Sequence, residues 1–443
     1  MGALLSGAVK VDDNLHHEPV FTIMNSVLQV KVWLSRLSAA RRDHVYGNPR
    51  RFIGTSFDGC SRPGIRLPRT EFGWPALPLE IVMTRSRSFH SGIISVLLAA
   101  VVLAAGIARL HLPASRVHAA GPAPGASGYH LIKTIKVGGD GFWDYLAFDS
   151  PTRRLFISRG TKVMVLDVDS EKIVGEIPDT PGVHGIALAP DRGNGFTSNG
   201  MAGTISIFDL KSLQVIGHAQ AEMNPDCIIY DPATKRVFAM NGRSGSATVV
   251  DAVTGMVAGT VPIGGKLEFA AADGAGHVYV NVENKSEEVE LDSKNMTVMA
   301  HWSLDPCKDP SGLAIDAKHR RLFAGCGNRM MAVIDADSGK VIATPPIGAG
   351  VDADAFDPET GFAFASNGSG TLTVVHEDSP NMFSVVEDVP TQQGARTMAL
   401  DPKTHEVYLV TAQFAPPAAP MPDNPRPRPT LLPDSFVVLV YGR

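Results

Sequence analysis

Seven residues with chemical reach recur at one register of the chain. Asp144, His184, Asp226, Glu268, Ser311, Asp352 and Arg396 each stand five residues before a common position, held by Asp149, Ala189, Asp231, Asp273, Asp316, Asp357 and Asp401. Equivalent positions in a repeat end up side by side, so these side chains are expected to form a collar. Four of them are carboxylates, and Asp354, two residues beyond Asp352, adds a fifth. Carboxylates packed together raise one another's pKa unless a cation lies between them. Oxygen donors of this kind suit calcium, and His184 with two acids suits a first-row metal. Asp226, Glu268, Asp352 and Asp354 are therefore the candidate ligands of a divalent cation such as calcium. The alternative is a hydrated polar opening in which Arg396 pairs with Asp352 or Asp144. No spacing within the set matches a metal-binding motif.

The elements that must position this collar are strands. Aromatic residues recur at Phe156, Phe196, Phe238, Tyr279, Phe323, Phe364 and Tyr408, at spacings of 40, 42, 41, 44, 41 and 44 residues. Around Phe238, residues 225–265 contain four apolar runs of strand length, separated by Asp231-Pro232, Asn241-Gly242 and Thr254-Gly255. Turn residues between short β-branched runs give an antiparallel meander. A further acid ends the third run at Asp167, Asp209, Asp251 and Asp335. Four strands per period of about 40 residues is the pattern of a β-propeller. The fold class predicted is all-β, a seven-bladed β-propeller over residues 129–443. Its last repeat lacks a fourth strand, which an isolated strand at 129–137 is expected to supply by pairing with the last blade.

At the second strand of the repeat the residues resemble a known family. Phe196-Thr197-Ser198-Asn199, Phe238-Ala239-Met240-Asn241 and Phe364-Ala365-Ser366-Asn367 are similar to the Tyr-Val-Thr-Asn motif of YVTN-repeat, YncE-like β-propellers. Tyr279-Val280-Asn281-Val282 is a shifted version, while the copies at Phe156 and Tyr408 lack the Asn. The resemblance implies an exported and mostly non-enzymatic propeller. It transfers fold better than function.

Charge divides the chain. Of its 40 Lys and Arg and 45 Asp and Glu, 14 and 7 lie in residues 1–120, so residues 121–443 are acidic. An acidic propeller argues against a broad phosphate-binding surface, which rests on Lys and Arg. Nucleic acid, with which the YncE-like family has been linked, is thus the third choice of ligand. Residues 1–82 show no useful periodicity and read as a disordered or over-extended leader. From Met83, a basic start (Arg85, Arg87), an apolar run at 92–108 and Val117-His118-Ala119 describe a secretory signal. An uncleaved membrane anchor is the alternative reading of 83–119, and only then is a membrane a partner. Residues 120–128 read as a linker. The expected protein is exported to the periplasm or beyond, and monomeric.

Three further features bear on function. Cys307 and Cys326 fall at the same end of one predicted sheet and are candidates for a disulfide, which suits an oxidising compartment. Phe142-Trp143-Asp144-Tyr145 brings aromatics to the collar, as packing between blades or as a stacking platform. The Pro-rich run within 415–433 reads as a long loop in the last blade, a stiff excursion or a lid. Nucleophile elbows, His-Glu-x-x-His and Cys-x-x-Cys are absent. The sequence therefore points first to a non-catalytic propeller binding a small ligand, metal or protein at one mouth of its channel. A metal-dependent, lactonase-like hydrolase is the alternative.

Overall fold

The computed structural model describes residues 127–139, 141–416 and 430–443. These form seven four-stranded antiparallel sheets. The first strands of the seven are Leu146–Asp149, Val183–Ala189, Pro225–Asp231, Leu267–Ala272, Pro310–Asp316, Val351–Asp357 and Thr397–Asp401. Each contacts the first strand of the next sheet, and the seventh contacts the first, so they line the centre of a closed ring. The chain is a seven-bladed β-propeller.

Blade packing explains the aromatic period. The buried apolar residues separate into seven clusters, one at each boundary between adjacent blades. Phe156, Phe196, Phe238, Tyr279, Phe323, Phe364 and Tyr408 each belong to the cluster shared with the following blade. All seven are essentially inaccessible to solvent. A buried side chain of this size stabilises by about 1.5–3 kcal/mol, so one residue per repeat accounts for much of the glue between blades.

The repeated acids build turns. The hydroxyls of Thr234, Thr360 and Thr404 donate to Asp231, Asp357 and Asp401 at 2.7, 2.8 and 2.7 Å. After the third strands, Asp167, Asp209, Asp251 and Asp335 accept backbone N–H groups three residues on. Blade 6 has His376 where those acids stand. Without that cap the hairpin runs on, and strands Thr371–Ser379 and Met382–Pro390 are nine residues each rather than the usual six.

Strand His130–Lys136 pairs antiparallel with Val437–Gly442, the last strand of the chain, with Ile135 opposite Val438. Blade 7 thus takes its outer strand from ahead of blade 1, and the edge of Val437–Gly442 is covered rather than left as a template for aggregation. Tyr129 anchors this segment: its ring lies edge-on to Phe364 at 5.0 Å and its hydroxyl donates to the His405 carbonyl at 2.8 Å.

The leader at 1–82, the signal or anchor at 83–119, most of the linker and the proline-rich stretch 417–429 lie outside the described residues. At the base of that loop Phe414 and Leu431 form an isolated bridge. Among the described residues no helix is long and apolar enough to cross a membrane.

Candidate functional site at the channel mouth

The collar residues are aimed by a local irregularity. In blades 2 to 6 the pairing of inner and second strand slips where His184, Asp226, Glu268, Ser311 and Asp352 stand. A β-bulge bends the strand and re-aims the extra residue. Asp144 and Arg396 precede the first paired residue of their strands. Side chains of the preceding blade pin this irregular backbone. The Ser198 hydroxyl donates to the Asp226 carbonyl, and that of Ser366 to the Arg396 carbonyl. Asn281 donates from Nδ2 to the carbonyls of Ser311 and Gly312 at 3.0 and 2.9 Å. Gly200 makes room for the imidazole, since a Cβ there would stand 2.6 Å from the His184 ring.

All seven collar residues line one cavity of about 340 Å³. Within it, His184 Nδ1 is hydrogen-bonded to Asp144 Oδ2 at 2.6 Å and lies 3.9 Å from Asp226 Oδ1. Donor atoms of these three residues fall within 4.8 Å of one another. Ser311 Oγ donates to the Asp352 carbonyl at 3.2 Å, and Arg396 Nε stands 3.3 Å from Asp352 Oδ2. Lys266 bridges Glu268, at 2.7 Å, and Glu283.

Burial dominates the electrostatics. It pushes the Asp226 and Asp352 carboxyls up to about 6 and the Glu268 carboxyl to about 7, although His184, Arg396 and Lys266 respectively oppose it. For His184 burial works against the charged form, but the Asp144 hydrogen bond and the charges of Asp226 and Glu268 leave its pKa raised. Near neutral pH the mouth therefore holds protons that a cation would displace.

The candidate metal set is not brought together as one ligand shell. Asp226 faces His184, Glu268 is engaged by Lys266, and Asp352 by Arg396 and Ser311. Asp354 does not line the cavity: it is buried at the boundary between blades 5 and 6. The bulge at Asp352 breaks the alternation that would have put the two acids on one face. Gly312 and Gly325 leave the space Asp354 fills, since a Cβ on Gly325 would lie 2.6 Å from its Oδ2. Burial holds this carboxyl well above the usual carboxylate range.

Cys307 and Cys326 are disulfide-bonded with their Cα atoms 5.6 Å apart, and Cys227 is a free, buried thiol. Trp143 packs on Phe436 and Phe414 at 5.1 and 6.0 Å, and Tyr145 stacks on Phe269 at 4.4 Å. A groove of about 790 Å³, with Phe142, Trp143, Met201 and Phe414 in its wall, adjoins the mouth and shares Asp144, His184 and Arg396 with it. Sequence reasoning missed Lys266 and Asp309, which also line the cavity. The signal was present: both stand two residues before a collar position.

No protein-family model and no curated protein matches the chain. Among solved structures it is similar to Kuenenia stuttgartiensis Hydrazine Synthase, with a TM-score of 0.52 and 16% sequence identity, over 62% of this chain and 94% of that chain. At that identity the likeness is one of fold. Fold and site together define the class, a seven-bladed β-propeller with an acidic channel mouth.

Proposed function

We propose that this chain is a binding propeller that holds a small cationic ligand at its channel mouth and does no chemistry of its own. The observation that carries this reading is the cavity lining. Six carboxylates (Asp144, Asp226, Glu268, Glu283, Asp309 and Asp352) face one lysine, one arginine and one imidazole. Carboxylates held part-protonated by burial gain from any cation that replaces the proton. A calcium ion or a protonated amine has that chemistry, and the groove beside Trp143 offers the carbon part of an amine an apolar wall. Export, a monomeric state and kinship with YVTN-repeat propellers belong to the same proposal. The repeat residues, the apolar segment at 92–108 and a disulfide suited to an oxidising compartment support it.

A lactonase-like hydrolase is the second reading, favoured by the Asp144, His184 and Asp226 donors lying within 4.8 Å of one another. A divalent ion there would polarise a carbonyl. Calorimetric titration of the purified chain with Ca²⁺ and with 1,4-diaminobutane tests both. Binding that disappears in the Asp226→Asn, Glu268→Gln double variant supports the binding reading. Calcium-dependent lactone hydrolysis would replace it with the second, and no binding of either probe overturns it.

A further inference from the structure

At the far end of the inner strands lies a second departure from the repeat. In blades 1, 3, 6 and 7 this strand ends Asp-x-x-Thr. The hydroxyls of Thr152, Thr234, Thr360 and Thr404 donate to Oδ2 of Asp149, Asp231, Asp357 and Asp401. In blade 5 the threonine position is held by His319, three residues after Asp316. The donor that four sister blades possess is replaced by an imidazole nitrogen.

A third group arrives from blade 6. The uncapped hairpin carries Glu377 beyond the point where the other third strands stop, and its tip is clamped to blade 5. Arg321 donates from Nε to the Pro380 carbonyl at 2.6 Å and from Nη2 to Asn381 Oδ1 at 3.3 Å. Phe383 of the same hairpin packs edge-on to Phe323 at 5.9 Å. Glu377 is thereby held with its Oε1 2.9 Å from His319 Nδ1, while Asp316 Oδ2 lies 2.6 Å from the same nitrogen.

These short approaches lack hydrogen-bond geometry. His319 Nδ1, Asp316 Oδ2 and both carboxylate oxygens of Glu377 are buried without a hydrogen-bond partner. The Asp316 and Glu377 side chains are only 3% and 4% exposed. Buried acids are costly unless a cation or hydrogen bond compensates them, and the neighbouring guanidinium groups are engaged elsewhere: Arg320 with Asp273 and Asp337, Arg321 with Asp335. Two carboxylates thus converge on one imidazole, which is left as their shared ion-pair partner.

We propose that Asp316, His319 and Glu377 bind one divalent first-row metal ion of the zinc class, joining blade 5 to blade 6. One nitrogen and two oxygen donors suit such an ion. Bond lengths of about 2.0–2.1 Å around tetrahedral zinc place donors about 3.3 Å apart, so the cluster opens by about half an ångström on binding. His319, a third exposed, has the freedom to give that. The site is separate from the channel mouth and independent of what the mouth binds.

The test uses the full chain, stripped with a chelator and dialysed against Zn²⁺, with bound metal measured by mass spectrometry and affinity by calorimetry. His319→Thr restores the residue of the sister blades, so a normal melting transition is expected to certify its fold. The proposal predicts one zinc equivalent that is lost in His319→Thr, weakened at least about tenfold in Glu377→Gln, and retained in Asp226→Asn. No zinc uptake, or uptake that survives His319→Thr or Glu377→Gln unchanged, overturns it.

Discussion

His184 and Asp144 belong to neighbouring blades, and their side chains meet across the boundary with Nδ1 2.6 Å from Oδ2. Burial alone would lower the imidazole pKa, and this hydrogen bond is the largest of the contributions that reverse it. Asp144→Asn is therefore expected to lower the His184 pKa. Histidine NMR titration of the two proteins measures it, and an unchanged midpoint would show that Asp226 and Glu268 suffice.

Asp226 carries a pH signature of opposite sign to a paired surface acid. Its folded pKa, about 6, lies above the ordinary value of 3.8, so the folded state binds the proton more tightly than the unfolded one. The stability this group contributes is full below pH 4 and is lost as pH rises through about 6. Asp226→Asn should then stabilise the ligand-free protein by about 1–3 kcal/mol at pH 8 and not at pH 3.5. Denaturant midpoints at the two pH values decide it. By the same linkage, affinity of the mouth for a cation should climb between pH 5 and pH 8.

The bridge between Cys307 and Cys326 closes a loop of sequence separation 19. Loop-closure entropy gives such a bridge about 3 kcal/mol. Cys307→Ser is expected to lower stability by that amount in urea titration, and to leave the midpoint insensitive to dithiothreitol. A variant as stable as the oxidised parent would refute the assignment of stability to the bridge.

Gly325 and Asp354 are coupled by space. A Cβ on Gly325 would stand 2.6 Å from Asp354 Oδ2 and 2.7 Å from Val351 Cγ2. Gly325→Ala should cost about 1–3 kcal/mol as overpacking, and part of that cost should vanish in the Asp354→Ala background. Strictly additive effects in the double-mutant cycle would mean the two do not share the cavity.

The ring was legible because its cause is periodic. Phe238 and its six counterparts mark the seven boundaries that hold the molecule together, and counting forward from Asp144 by repeat reaches seven residues that all line one cavity. What the sequence hid were the events that break a period. A bulge has no compositional mark, so Asp354 read as a neighbour of Asp352 although the strand turns it into the blade boundary. The cluster at His319 was hidden for a related reason: Glu377 approaches from another blade, along a hairpin lengthened because His376 replaced an acid. Lys266 was visible but fell outside the register that was read.

Gly128 rests against the side chain of Arg443, and a Cβ there would lie 3.6 Å from its Cγ. A short linker between these two points would make the propeller covalently endless, and fresh termini could then be cut elsewhere, for example between the exposed residues 274 and 275. Such a permuted chain would transfer the two-ended sheet from the seventh position to the fourth and keep every contact around the axis. Order along the gene and order around the ring are, for this architecture, separable properties.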